Sequence, residues 1–146
     1  MNSKTQSLAA TFCENVAALL KEKLLDIEGN PPTIIDLISN SQEPYLSDLP
    51  LIGFVWSGQS FPDNFQARRF EKGRLELHFY QAIQSNDATL ARTYTEDLKE
   101  KTNRLFKRNS QKLGLRSIAP LVSTPGVAPG RPDVLDLRAE YECLLA

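Results

Sequence analysis

The chain has 146 residues, of which 41% are hydrophobic and 24% charged, and its formal net charge is −1. That size predicts one domain able to bury a sizeable core without a metal or disulfide staple. The near-zero charge argues against a general nucleic-acid coat, and no apolar run approaches the ~20 residues that span a bilayer. The N-terminus, Met1-Asn2-Ser3-Lys4-Thr5-Gln6-Ser7, carries no signal-peptide pattern. With His78 as the single histidine, a two-His metal site is excluded, and any Ser-His-Asp chemistry would have to run through that residue. Glycine-rich nucleotide loops, His-Glu-x-x-His and Cys-x-x-Cys are absent. No metal or cofactor is expected. Cys13 and Cys143 fit no metal spacing and read as reduced, half-buried thiols of a cytosolic compartment.

Residues 8–27 read as an amphipathic helix. Leu8, Phe12, Val16, Leu19, Leu20, Leu24 and Ile27 recur at spacings near three and four. Gly29-Asn30-Pro31-Pro32 stops it, because proline cannot continue a helix. Pro32 to Ile38 reads as a short buried strand or one and a half helical turns; a short helix is favoured, because Ile34, Ile35, Leu37 and Ile38 fit helical spacing with Asp36 off the apolar face. Residues 39–50 form a polar loop. Leu51 to Trp56 is a near-continuous apolar run, expected as a central strand buried on both faces. Residues 57–73, with Gly58, Pro62, Asp63, Asn64 and Gly73, read as a long connection.

Arg74 to Ile83 alternates as a strand does. Leu75, Leu77, Phe79 and Ile83 point to one side; Glu76, His78 and Tyr80 point to a wet or partner-facing side. Ser85, Asn86 and Asp87 are N-cap candidates for a helix running to Lys112, with Leu90, Tyr94, Leu98, Leu105 and Phe106 as its apolar line and Gly114 as its stop. Four prolines and two glycines in residues 120–133 exclude a helix or an inner strand, leaving an exposed arm or long β-connection. Val134 to Leu145 alternates most cleanly, with Cys143 on its apolar side. The order predicts an α+β fold: a mainly antiparallel sheet with two long helices packed on one face, plus long loops or arms.

Four features bear on function. His78 is expected as a surface or interface imidazole, since no orienting partner or nucleophile is legible beside it. Basic residues cluster at Arg68, Arg69, Lys72 and Arg74, and again at Lys99, Lys101, Arg104, Lys107, Arg108, Lys112 and Arg116. A solvated helix face is the ordinary explanation, ahead of contact with an acidic protein surface and then with DNA phosphates. Phe61, Phe65 and Phe70 are apolar anchors in the first long loop. Each would contribute ~1.5–3 kcal/mol if buried, against its own domain or a neighbour. The interface candidates are thus Phe61, Phe65, Arg68, Arg69, Phe70, Lys72, His78, Tyr80, Arg104, Lys107 and Arg108.

The order of these elements resembles the small tail-terminator and minor tail proteins of tailed bacteriophages. An N-terminal amphipathic helix leads to an acidic loop, Glu43-Pro44-Tyr45-Leu46-Ser47-Asp48. An apolar strand opens with proline, Leu49-Pro50-Leu51-Ile52-Gly53-Phe54-Val55. The strand Leu75 to Ile83, the long helix and the final strand follow. The resemblance implies a virion protein with no enzymatic activity. It implies a ring of identical subunits, usually six, that caps the tail tube, ends its polymerisation and joins the tail to the head or neck. Its partners would be copies of itself, the tail tube protein, and sheath and neck or connector proteins, with no membrane and no sequence-specific nucleic acid. It would act in the virion after assembly in the host bacterial cytoplasm. The rivals are another head–tail connector or tail-completion ring, a small intracellular enzyme or ligand-binding domain using His78, Tyr80, Arg74 and Glu76, and nucleic-acid binding by the basic helix.

Overall fold

The structure, a computed structural model, describes residues 8–37, 49–60, 71–84 and 87–146. Its elements are α1 (Leu8–Lys23), β1 (Thr33–Asp36), β2 (Leu51–Ser60), β3 (Glu71–Ala82), α2 (Thr89–Arg108), β4 (Leu115–Ala128) and β5 (Arg131–Leu145). The strands form one sheet in the order β1-β2-β3-β5-β4, antiparallel except for the parallel pair β1–β2. The fold is α+β, with both helices on one face of the sheet.

The core lies between that face and the helices. Ile52 and Phe54 of β2, Leu75, Leu77 and Phe79 of β3, and Leu137, Ala139, Tyr141, Cys143 and Leu145 of β5 meet Phe12, Val16, Leu20, Leu98 and Phe106 of the helices. The period-two alternation of β3 and β5 places every one of these strand residues on the same side. Phe12 meets Trp56 edge-on at 5.2 Å, and Phe106 meets Tyr141 at 5.4 Å. The Tyr141 hydroxyl donates to Asn103 Oδ1, so its polar end is satisfied where the ring is buried.

Several expectations are corrected. The segment expected as a short helix is strand β1. It runs parallel beside β2, with Thr33 N–H donating to Pro50 O and Leu37 N–H to Phe54 O. Pro31 and Pro32 bias the chain before it toward extended geometry, and four apolar residues at helical spacing also suit a short buried strand. The first helix ends at Lys23 rather than at 27. Asp26 Oδ1 accepts the N–H groups of Glu28 and Asn30 at 2.8 and 2.9 Å, turning the chain before Gly29 and leaving Ile27 exposed.

The connection expected at 57–73 is shorter. β2 continues to Ser60 and β3 begins at Glu71, pairing Gly58 with Gly73, so Lys72 lies in a strand. The two glycines face each other because a Cβ on Gly73 would sit 2.6 Å from both Ser57 O and the Trp56 ring. Phe61, Phe65, Arg68, Arg69 and Phe70 lie outside the described residues, as do the acidic loop 43–48, Ile38, Ser85 and Asn86.

In α2 the buried line is Ala91, Thr95, Leu98, Thr102 and Phe106, not the line through Leu90, which is 54% exposed. Thr95 fits because its hydroxyl donates back to Ala91 O at 3.0 Å. The N-cap position is Ala88, with no side-chain cap bond, rather than Asp87; Asp87, one residue earlier, accepts Thr89 N–H on its Oδ1 at 2.9 Å, which lowers its pKa. The helix ends at Arg108 rather than at Lys112, and Gly114, at φ +72°, turns the chain into β4.

Residues 120–128, expected within an exposed arm, complete the outermost strand β4, and β5 begins already at Arg131. Pro120 and Pro125 are tolerated there because an edge strand need not donate on its outer side, and register shifts interrupt its pairing with β5. No helix among the described residues is long and apolar enough to cross a membrane.

Candidate functional site

The sheet face opposite the helices carries charge in two facing rows. β3 contributes Lys72, Arg74, Glu76 and His78; β5 contributes Asp136, Arg138, Glu140 and Glu142. In the register, Glu76 stands directly opposite Glu140 and His78 opposite Arg138, two like-charged juxtapositions once His78 is protonated. The contacts resolve this diagonally. Lys72 reaches Glu142 at 3.9 Å, Arg74 reaches Glu140 at 3.5 Å, and His78 reaches Asp136 at 3.0 Å, each one step off the direct partner. Arg138 supports Glu140 along its own strand at 3.2 Å.

His78 is the centre of this array. Its Nδ1 lies 3.0 Å from both Asp136 oxygens, and its Nε2 lies 2.5 Å from Glu76 Oε2. Tyr80 stacks on it, with ring centroids 5.8 Å apart and planes 12° from parallel. Burial alone would lower the His78 pKa, but the hydrogen bonds and charges of Asp136 and Glu76 outweigh it and raise the pKa. The protonated ring donates from both nitrogens, to one carboxylate on each side. A general base needs a free ring nitrogen facing substrate. Here carboxylates engage both, so the cluster is built to hold a proton and tie β3 to β5.

Tyr80 is buried with Leu51, Ala128 and Val134 in a small second cluster on this face, rather than lying on a wet side. Its hydroxyl pKa is pushed up to about 12 by burial and by Asp136 and Glu76. Lys72 is exposed and paired with Glu142. Arg104, Lys107 and Arg108 are exposed on α2, on the other side of the molecule. The structure therefore stacks Tyr80 on His78, sets Lys72 on the same sheet face but ~20 Å away along β3, and leaves the helical cations elsewhere. Asp136, the principal partner of His78, was not among the sequence candidates. Its 58-residue separation becomes a contact only through the pairing of β3 with β5.

A different feature marks β4. Leu115 and Ile118 join the core and Lys99 of α2 reaches Ser123 at 3.2 Å, yet from Arg116 to Val127 every residue is exposed except the half-buried Ile118. Three of these are large and apolar: Leu121 at 43%, Val122 at 62% and Val127 at 56% exposure. Compared with known proteins, the chain matches no family model and no curated protein.

Proposed function

We propose that this chain is a structural virion protein of a tailed bacteriophage. It assembles with copies of itself into a ring that caps the tail tube, ends its polymerisation and joins the tail to the head or neck. The order of elements supports the reading, and the observation that carries it is β4. A long edge strand, exposed over most of its length and carrying Leu121, Val122 and Val127, is a liability in a monomer and an asset at a subunit boundary. Burying each of these side chains would contribute ~1–2 kcal/mol toward a lateral contact. Pro120 and Pro125 cannot donate main-chain hydrogen bonds, so the edge resists open-ended strand pairing. Lateral contacts between different patches close into a ring when the rotation allows, and a closed ring leaves no growing end.

The test is negative-stain microscopy of the purified protein with and without tail tubes. Rings seated on tube ends are expected, and Val122→Glu, a change at an exposed position, is expected to abolish them while the thermal midpoint stays put. Uncapped tubes and a monomeric protein at high concentration would reject the reading.

A further inference from the structure

We infer that two copies of this chain associate through the outer faces of their α2 helices, antiparallel and centred on Thr102. The observation is a charge pattern along α2 in which acids and bases are arranged together. At 100° per residue, Glu96, Asp97, Glu100, Arg104, Lys107 and Arg108 all fall within ~70° of the direction opposite the buried line Ala91, Thr95, Leu98, Thr102 and Phe106. Five of the six are exposed and Asp97 is half-buried. Acids occupy the first half of this face and bases the second.

The two halves are symmetric about residue 102 with the sign reversed. Glu100 and Arg104 lie equally far on either side of it, as do Asp97 and Lys107, and again Glu96 and Arg108. An antiparallel two-fold pair centred there sets each acid of one helix against a base of the other, and the same three pairs recur on the other side of the axis. Self-complementarity of this kind is what a two-fold contact requires. A parallel arrangement in register would set every charge against its like.

Local pairing does not consume the pattern. Glu96 bonds Lys99 and Asp97 bonds Lys101, both at 2.8 Å within the helix. Glu100, Arg104, Lys107 and Arg108 make no ion pair among the described residues. The central Glu100–Arg104 pair, closest to the axis and made twice, is therefore the determinant. Thr102 on the axis is itself buried in the core, so the contact is made by charged side chains over helix backbones ~10 Å apart. Exposed ion pairs are individually weak and screened by salt, so the association is salt-sensitive and serves orientation more than tight binding.

The experiment is sedimentation velocity with light scattering on the full chain. At about 50 mM salt the protein is expected to have twice the mass of its Arg104→Glu and Glu100→Lys variants, and at about 500 mM salt the masses are expected to coincide. Exchanging the pair, Glu100→Arg with Arg104→Glu, restores opposite signs across the axis and is expected to restore the doubling. Circular dichroism checks that each variant folds, and both positions are exposed. Equal masses at low salt, a doubling that persists in Arg104→Glu or at high salt, or an exchanged variant that stays at half mass would each overturn the inference. The factor of two is read against whatever unit the variants form. Failure of ring assembly on tail tubes therefore leaves this result intact, and failure here leaves the ring reading intact.

Discussion

Phe106 and Leu90 sit on the same helix and were expected on the same apolar line, yet the structure gives them opposite roles. Phe106 is buried to 2% exposure, packed edge-on against Tyr141, while Leu90 is 54% exposed. Phe106→Ala removes a ring from the α2–sheet contact and leaves a cavity, which costs ~3–5 kcal/mol in well-packed cores. For 146 residues the entropy of unfolding near the midpoint is ~0.3 kcal/mol per kelvin, so the midpoint is expected to fall by ~10–16 °C. Leu90→Ala removes a side chain that is largely in water already and is expected to change stability by less than ~0.5 kcal/mol. Urea unfolding followed by fluorescence of Trp56, the single tryptophan, reads both variants, because Trp56 packs against Phe12 and reports separation of α1 from the sheet. Phe106→Leu, which keeps most of the volume, should lie between them. If Phe106→Ala cost less than ~1 kcal/mol, or Leu90→Ala cost as much as Phe106→Ala, the placement of the α2 face would be refuted.

Two further outcomes follow from the charge array and the thiols. His78 has a raised pKa in the fold, so its contribution is fully present below its ordinary value of 6.5 and is lost as pH rises through the folded value. His78→Gln is therefore expected to cost more stability at pH ~5.5 than at pH ~9. An equal cost in urea titrations at both pH values would show that the ring serves only as packing. Cys13 is pushed up to about 11, by burial first and then by Asp36, and Cys143 to about 12, chiefly by burial. Relative to a thiol at 9.0, a shift to about 11 leaves ~100-fold less thiolate near neutral pH. Alkylation by iodoacetamide at pH ~8 is expected to be at least that much slower in the native protein than in urea, and native labelling of Cys13 at the unfolded rate would contradict the burial.

Local patterning was enough for the alternating strands and the class of the fold. Leu75, Leu77 and Phe79, and Leu137 through Leu145, announce their buried faces because a strand's side chains alternate and one face must be dry. It also determined that two amphipathic helices would cover a single side of the sheet. Other features depended on tertiary structure. Ile34 and Ile35 carry a pattern compatible with either a helical turn or a strand, and the choice fell to a vacant sheet edge beside β2. The prolines of β4 read as an arm until β5 offered them an outermost position where a missing donor does no harm. Thr95 and Thr102 displaced Leu90 from the buried line of α2, because both side chains are small and the Thr95 hydroxyl is satisfied by donating back to Ala91 O.

The His78 cluster shows the boundary most clearly. The polar row of β3 was legible, and so was that of β5. Their union into a clamp around one imidazole was not, since it depends on which strands pair and in which register. Local periodicity encodes which way a side chain points; only the assembled chain, by bringing distant residues together, decides what it points at.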